Sequence, residues 1–421
     1  MTIAKIPFGR ALRSEFLLEE QYVPLNHGGY GACPRVVRSA MRRYQDQAEQ
    51  NPDRWLLRLV FKHLKENRDR VAALVQCDSP DLTFTSNATS AINSVVRSGF
   101  LNPGEKILWF NTTAHSSVKK IMTFLEDTHK MTLVPVELQY PLSDQDVLDI
   151  TRRAIEHELA KDPKVPIRLA VFDAISALPA VRVPYEAMIQ LVREYKILSL
   201  VDGAHAIGQI PLNLREADPD FFISDCHKWL FVPRGCAILY VPKRNQNFVH
   251  SCIISREYKS TAMKGTVSTP FEREFAWPGA TDFSPYLCFN DALDFRESLG
   301  GEEEIQKYCN KLARQGGQLV ADALGTELLL LETKDEDEPT FAMVNVRLPY
   351  MDKHNRPEKE IIDIIFDKLM FERNTSAGPF KHYGKWYVRL CAQVYNDLDD
   401  FQYFAQAIQK VVDELEKENI D

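Results

Sequence analysis

The chain has 421 residues, of which 45% are apolar and 26% charged, and its formal net charge is −8. This length suits two domains, and the composition is that of an ordinary globular protein. The acidic balance argues against a protein that binds nucleic acid or an anionic membrane surface, because such proteins present a basic face. No run of about 18 apolar residues is present, so the sequence predicts no membrane-spanning helix.

The eight cysteines are scattered along the chain, and none forms a Cys-x-x-Cys pair. Because such pairs are the usual mark of a structural zinc site, no metal site is expected. The first residues lack the apolar stretch and cleavage pattern of a secretory signal. We therefore expect a reduced protein of the cytoplasm.

In chain order, the sequence first predicts an N-terminal segment, residues 1–30, that packs on the candidate active site. A helical region follows at 34–76 and begins with Pro34. A strand at 82–85 precedes a helix that is predicted to run to residue 100. Short apolar strands then alternate with helical patterns, and we expect them at 106–110, 131–136, 167–172, 197–201, 221–223 and 237–241. This alternation predicts an α/β large domain at 31–290, with a mainly parallel sheet flanked by helices.

From residue 291 the pattern changes to that of a smaller α+β C-terminal domain, residues 291–421. The predicted elements of this domain are helices at 302–324, 359–371 and 399–417 and strands at 340–348 and 386–390. The charged segment 256–276 is predicted to be a mobile loop over a site. The acidic tract 333–338 is predicted to be a solvated loop.

Lys228 and Asp202 are the most informative pair of residues. Each follows a short apolar run, and Lys228 precedes a Pro-x-Gly turn. A lysine and an aspartate at strand ends are what a pyridoxal phosphate (PLP) enzyme requires. The lysine amine forms a Schiff base with the cofactor aldehyde, and the aspartate keeps the pyridinium nitrogen protonated. Taken singly, each residue is more often a surface lysine or a helix-capping aspartate, but together they favour the cofactor.

Seven motifs make the chain resemble the class V aminotransferases, a branch of the fold-type-I PLP-dependent transferases. Within that branch it is similar to the isopenicillin N epimerase-like group and its fungal relatives, the hercynylcysteine sulfoxide lyases and the loline-pathway PLP enzyme. The resemblance runs from about residue 20 to 410. Its motifs are 25–31, 87–89, 173–176, 202–205, 227–230, 277–282 and Arg389.

The resemblance implies roles for residues around the cofactor. Ala88 and Thr89 open a helix after a strand and would hold the cofactor phosphate, although a plain helix cap accounts for the same residue types. His115 would stack on the pyridine ring and shuttle a proton, where many relatives have Tyr. Asp202 would bind the ring nitrogen, and His205 would reach the phenolic oxygen.

Further cofactor contacts are implied at the ends of other elements. Asp173 and Ser176 follow a strand and are expected to line the site. His227 would flank the phosphate. Thr281 matches an element that contacts the phosphate of the partner subunit, which implies a homodimer with shared sites. Asp225 stands where relatives commonly have Ser or Asn, and it would either point away from the phosphate or accept a bond from His227.

Arg389 is the residue that the resemblance assigns to the substrate. Its planar guanidinium suits bidentate capture of a carboxylate, and with Asn26 it would hold the α-carboxylate of an amino acid. The alternative is an exposed arginine that forms a salt bridge on a strand.

The resemblance implies an external aldimine with the substrate, followed by an α-carbanion formed when the freed Lys228 removes the Cα proton. Segment 374–382 contains no cysteine, which argues against the persulfide mechanism of cysteine desulfurases. Cys391 lies within a predicted strand, whereas Cys252 is left as an alternative nucleophile. We expect lyase or cyclase chemistry in specialised amino-acid, alkaloid or sulfur metabolism. The alternatives are an epimerase, an aminotransferase or a catalytically inactive PLP-fold binding protein.

Overall fold

The computed structural model describes residues 6–259, 269–329, 341–349, 351–353 and 356–420. Within these ranges the β-strands, numbered β1 to β12 in chain order, are Val23–Pro24, Leu82–Thr85, Lys106–Phe110, Thr132–Val136, Ile167–Asp173, Leu198–Asp202, Phe221–Asp225, Ala237–Tyr240, Met343–Arg347, Thr375–Ser376, Gly378–His382 and Lys385–Cys391.

The α-helices of the same ranges are numbered α1 to α16 in chain order. They are His27–Tyr30, Arg35–Gln50, Pro52–Arg54, Val60–Leu74, Ala88–Val96, Ser116–His129, Asp144–Lys161, Tyr185–Glu194, Leu214–Ala217, Cys226–Trp229, Pro270–Ala276, Ser284–Leu287, Phe289–Ser298, Gly301–Leu324, Glu358–Asp367 and Leu398–Ile420.

The helical region predicted at 34–76 is interrupted. Helix α2 ends before Asn51, whose side chain accepts a hydrogen bond from the Arg54 amide and so caps the short helix α3. Pro52 stands at the first turn of α3, where its missing N–H group costs nothing. A π-helical turn, Trp55–Leu59, then joins α3 to α4. Asn51 and Pro52 therefore start a new helix and divide the single helical region that was predicted.

A central sheet of seven strands has the order β2-β8-β7-β6-β5-β3-β4. Strands β7, β6, β5, β3 and β4 are paired in parallel, and β8 is antiparallel to both of its neighbours. Buried apolar clusters cover both faces, as a mainly parallel sheet requires. The predicted fold class is confirmed. Strands β5, β6 and β7 end at one edge of the sheet in Asp173, Asp202 and Asp225.

The C-terminal part of the chain has a core of its own. Strands β11, β12 and β9 form an antiparallel sheet, and helices α14, α15 and α16 supply apolar side chains to the same cluster. Val23 and Leu25 also belong to this cluster, and β1 pairs with β10 in parallel. The N-terminal segment is thus anchored to the C-terminal part. The boundaries 1–30, 31–290 and 291–421 stay a prediction.

The predicted loop at 256–276 is only partly a loop. Residues 260–268 and the acidic tract 333–338 lie outside the described residues. Residues 270–276 form helix α11, so this end of the prediction is wrong. The reason is a capping box, in which Thr269 accepts from the Glu272 amide and Glu272 accepts from the Thr269 amide. No helix in the described ranges is both long and apolar enough to cross a membrane.

Candidate active site

One cavity gathers most of the predicted cofactor residues at the carboxyl edge of the central sheet. Parallel strands of an α/β sheet place ligands at this edge. The residues that line the cavity are Ala88, Thr89, Ile92, His115, Ser117, Val118, Asp173, Ile175, Ala177, Asp202, Ala204, His205, Asp225 and Lys228. Apart from Ala88, the apolar members of this set were not predicted, because nothing in the sequence marks an apolar side chain as the wall of a cavity.

Lys228 lies on the single turn α10, immediately after β7, and is 9% exposed. Its Nζ atom lies 3.0 Å from Oδ2 of Asp225. The other carboxylate oxygen of Asp225 accepts the backbone N–H of Ala88 at 2.8 Å. Asp225 therefore points into the cavity. The first alternative predicted for it, that its side chain points away from the phosphate site, is wrong.

His227 is not held by Asp225 either. Its Nδ1 atom lies 3.9 Å from Asp225 and donates instead to the carbonyl oxygen of Cys236 at 3.3 Å. His227 is absent from the residues that line the cavity. Its predicted role beside the phosphate stays a prediction.

Asp202 and Asp173 are neighbours in register at the ends of β6 and β5. Asp202 accepts the amide of Ala204 at 3.0 Å, and Asp173 accepts the hydroxyl of Thr113 at 2.8 Å. Burial raises the pKa of both carboxyl groups, and the negative charge of Asp202 raises the pKa of Asp173 further. A cation beside Asp202 would offset this penalty, so the position suits a protonated pyridine nitrogen.

His205 is held in one tautomer by the indole of Trp229. The Trp229 Nε1–H donates to Nδ1 of His205 at 3.2 Å, so in the neutral imidazole the hydrogen is on Nε2. Burial lowers the pKa of His205 well below its ordinary value, and nearby positive charges, including Lys228, lower it further. A neutral imidazole with a free Nε2–H donor fits the predicted contact with a phenolic oxygen.

His115 caps helix α6 at the cavity wall. Its Nδ1 accepts the backbone N–H of Ser117 at 3.2 Å. Burial, and secondarily the charge of Lys228, lowers the pKa of His115. The ring is thus a neutral, fixed plane beside Lys228, as its predicted stacking role requires.

His27 is a site-positioning residue to which the sequence analysis assigned no role. Its Nε2–H donates to the carbonyl oxygen of Lys228, and its Nδ1 accepts the hydroxyl of Tyr395 at 2.7 Å. Burial lowers the pKa of His27 to about 3. His27 lies within motif 25–31, which could have indicated its role, but the sequence analysis assigned a role only to Asn26 of that motif.

Gly31 brings the N-terminal segment against the same stretch of backbone. Its φ angle is +68°, and a Cβ atom at this position would lie 1.8 Å from the carbonyl oxygen of His227. Only glycine permits this close approach. Gly31 and the neighbouring His27 therefore both lie against the backbone of residues 227 and 228.

Arg389 is a buried cation, 5% exposed, that donates hydrogen bonds to neutral groups. One terminal nitrogen donates to Oδ1 of Asn26 at 2.6 Å, and the other donates to the carbonyl oxygen of Ala177 at 3.1 Å. Within the described ranges, its Nε atom has no hydrogen-bond partner and no carboxylate forms an ion pair with its guanidinium. Because a buried charge without a counter-ion is costly, this position suits an anionic ligand.

Besides His227, two predicted cofactor residues are not brought into the cavity. Ser176 is fully buried, and its hydroxyl donates to the carbonyl oxygen of Pro179 at 2.6 Å within a tight reversal of the chain. Its position after β5 is as expected, but the reversal turns its side chain away from the cavity. Thr281 is exposed and is absent from the residues that line the cavity.

The chain is similar to several known proteins. The family model described as Aminotransferase class-V matches residues 29–356. The chain is 32% identical to the L-cysteine desulfhydrase-like protein lolT1 of Epichloe uncinata, over 98% of this chain and 97% of the relative. It is 29% identical to the hercynylcysteine sulfoxide lyase of Schizosaccharomyces pombe, over 96% and 97% of the two chains.

Among solved structures, the fold is similar to that of the cystine C–S lyase C-DES in complex with its reaction product cysteine persulfide. The TM-score is 0.76 with 16% identity, and the match covers 94% of this chain and 98% of the other. At this identity the likeness supports the fold alone.

Proposed function

Because the chain belongs to the class V aminotransferase family and uses pyridoxal phosphate as its cofactor, we propose that it is a C–S lyase. The substrate class would be α-amino acids with sulfur on Cβ. The observation that carries the proposal is a cavity with Lys228 as a base, Arg389 as an unpaired cation near its wall, and no described cysteine in its lining.

The residues of the cavity fit the cofactor. When bound, pyridoxal phosphate supplies an electron sink that stabilises negative charge at Cα of the substrate. Lys228 would hold the cofactor aldehyde, Asp202 would accept the ring N–H, and His205 would donate Nε2–H to the phenolic oxygen. Thr89 has a backbone N–H without a partner in the described part of the chain, and it would donate to the phosphate.

The substrate would be oriented by its carboxylate. Arg389 and Asn26 would hold it, which directs the Cα–H bond towards the amine of Lys228. Once the substrate amine has displaced Lys228 from the cofactor aldehyde, the freed lysine amine would accept the Cα proton. The Cβ–S bond would then break, and sulfur would leave with the bonding electrons and take up a proton, as a thiol or, from a sulfoxide, as a sulfenic acid. The remaining three-carbon fragment hydrolyses to pyruvate and ammonium, so no oxidant or reductant is needed.

Two observations favour a released thiol over transfer of sulfur to the enzyme. No described cysteine lines the cavity, and Cys391 is fully buried, where burial raises the pKa of its thiol. A thiol that stays protonated is a poor nucleophile. The names of the two relatives described above point in the same direction.

Epimerisation at Cα is the second candidate, and the position of His115 favours it. His115 is a neutral imidazole in the cavity lining, close enough to Lys228 for the lysine charge to lower its pKa. A second acid–base group beside Lys228 is what return of a proton to the opposite face of Cα would require.

The decisive experiment uses the PLP-loaded enzyme with L-cysteine, an S-alkylcysteine and an S-alkylcysteine sulfoxide in deuterated water. A lyase forms pyruvate, ammonium and the sulfur product in equal amounts. An epimerase instead returns the amino acid with deuterium at Cα and inverted configuration. A 2-oxo acid that retains the substrate side chain would identify an aminotransferase, and cyclisation would give a product without loss of sulfur. Absence of all these products would contradict the proposal.

We further propose that the enzyme is a homodimer of a reducing, cytoplasmic compartment. Thr281 and Tyr30 are exposed, with Tyr30 at 73%, although both lie in motifs assigned to the site. Contact with a second subunit would bury them and bring Thr281 to the neighbouring phosphate. All eight cysteines are free thiols. Light scattering of the purified protein tests the dimer, and cell fractionation tests the compartment.

A further inference from the structure

We infer that Asp225 is a resident anion that competes with the cofactor phosphate for the N-terminus of helix α5. The inference depends on the cofactor and not on the C–S lyase reaction. It predicts that this enzyme holds pyridoxal phosphate more weakly than it would with a neutral side chain at position 225.

The geometry places Asp225 across two donors that a phosphate would also need. One carboxylate oxygen accepts the Ala88 N–H at 2.8 Å, and the other lies 3.0 Å from the Lys228 amine. Asp225 is 6% exposed and lines the same cavity as Thr89. The first turn of α5 therefore already carries a negative charge before any ligand arrives.

The remaining donors of this helix turn are few. The Ser90 N–H is used by the side chain of Asn87, and the Thr89 N–H has no partner in the portion of the chain described by the structure. A phosphate dianion at this turn would gain the Thr89 amide and hydroxyl. It would also meet the Asp225 carboxylate, and two anions at one buried site repel each other strongly. Phosphate binding therefore requires Asp225 to leave the Ala88 N–H.

The test compares cofactors with and without the phosphate. We would measure the affinity of the cofactor-free protein for pyridoxal phosphate and for pyridoxal, from the absorbance of the lysine adduct, in wild type and Asp225→Asn. Both cofactors use Lys228, so the ratio of the two affinities isolates the phosphate. We expect Asp225→Asn to raise the preference for pyridoxal phosphate by about tenfold or more, because it removes one like charge near the phosphate.

Asp127→Asn is the matched control, since it removes the same charge from an exposed position on α6. It should leave the affinity ratio unchanged. If Asp225→Asn does not fold, Asp225→Ser gives the same comparison. An unchanged or reduced preference for pyridoxal phosphate in a folded variant would overturn the inference.

A second measurement needs no covalent adduct. Inorganic phosphate should raise the melting temperature of cofactor-free Asp225→Asn at concentrations that have little effect on wild type. Equal stabilisation of both proteins would contradict the inference. Because these measurements concern binding alone, a failed lyase assay would leave their outcomes unchanged.

Discussion

The two buried cations of the site differ in their counter-charges. Lys228 lies 3.0 Å from the Asp225 carboxylate, whereas Arg389 donates hydrogen bonds to neutral groups, the side chain of Asn26 and the carbonyl oxygen of Ala177. Both residues are more than nine-tenths buried. The lysine end is therefore neutralised within the chain, while the arginine end keeps an uncompensated charge. The ion pair with Asp225 stabilises the buried amine of Lys228 in the absence of a ligand. The buried charge of Arg389 instead favours the binding of an anion.

The two cations also come from different parts of the fold. Lys228 and Asp225 come from the edge of the central sheet, and Arg389 comes from β12 of the C-terminal sheet. The N-terminal segment reaches both cations, through the bond from His27 to the carbonyl oxygen of Lys228 and the bond from Arg389 to Asn26. Substitution of Lys228 and substitution of Arg389 should therefore affect different steps of the reaction.

Lys228→Ala should have the largest effect. It removes both the amine that binds the cofactor and the base that accepts the Cα proton, so we expect turnover to fall by about 10⁴-fold. The measurements are pyruvate formation and the mass of the protein after borohydride reduction with pyridoxal phosphate. Lys62→Ala, at an exposed position on α4, is the control. A reduced cofactor adduct that persists in Lys228→Ala would assign the Schiff base to another lysine.

Arg389→Gln should come next, with kcat/KM lower by about 100-fold, because it removes charge-assisted hydrogen bonds that are together worth about 3 kcal/mol. Cofactor binding should change little. Arg389→Lys retains the charge without the bidentate geometry and should recover part of the loss. The matched amine without a carboxylate should react equally slowly with wild type and variant. A variant that loses activity equally towards both compounds would show that Arg389 has a purely structural role.

His27→Gln should reveal a smaller, pH-dependent effect on stability. The unfolded chain takes up a proton at His27 below the ordinary pKa of 6.5, whereas burial lowers the folded-state pKa to about 3. The stability contributed by neutral His27 is thus present above pH 6.5 and is lost as the pH falls towards 3. Between pH 7.5 and pH 5 the loss is about 2 kcal/mol.

Urea unfolding of cofactor-free wild type and His27→Gln at both pH values measures this loss. The difference in unfolding free energy between the two proteins should shrink by about 2 kcal/mol at the lower pH. The comparison cancels the contributions of the buried carboxyl groups, whose raised pKa values act in the opposite direction. A difference independent of pH would mean that His27 has the same pKa in the folded and in the unfolded protein.

Cys252→Ser should have the smallest effect, a change in turnover of less than about twofold. Cys252 is exposed, and its sulfur contacts Ser90 and Ser94 on α5 instead of lining the cavity. Turnover of L-cysteine by the variant measures the effect, with Cys33→Ser as a control for the loss of a thiol. A loss of 100-fold in Cys252→Ser would revive the persulfide mechanism.

Much of the site could be predicted from local patterns. Lys228 and Asp202 each follow an apolar run, and residues that end parallel strands meet at one edge of a sheet. Asp173 was placed by the same argument. Ser176 shows the limit of that argument, because a reversal of the chain two residues after the strand turns its hydroxyl towards Pro179.

The sequence by itself determined the fold class, the cofactor and the family, because periodicity and short motifs are local properties of the chain. Only the tertiary structure decided what each charge faces. The contacts of Asp225 with Ala88, of Arg389 with Asn26 and of His27 with Lys228 join residues separated by 137, 363 and 201 positions. Whether a buried charge is compensated depends on such distant neighbours, and no local pattern records them.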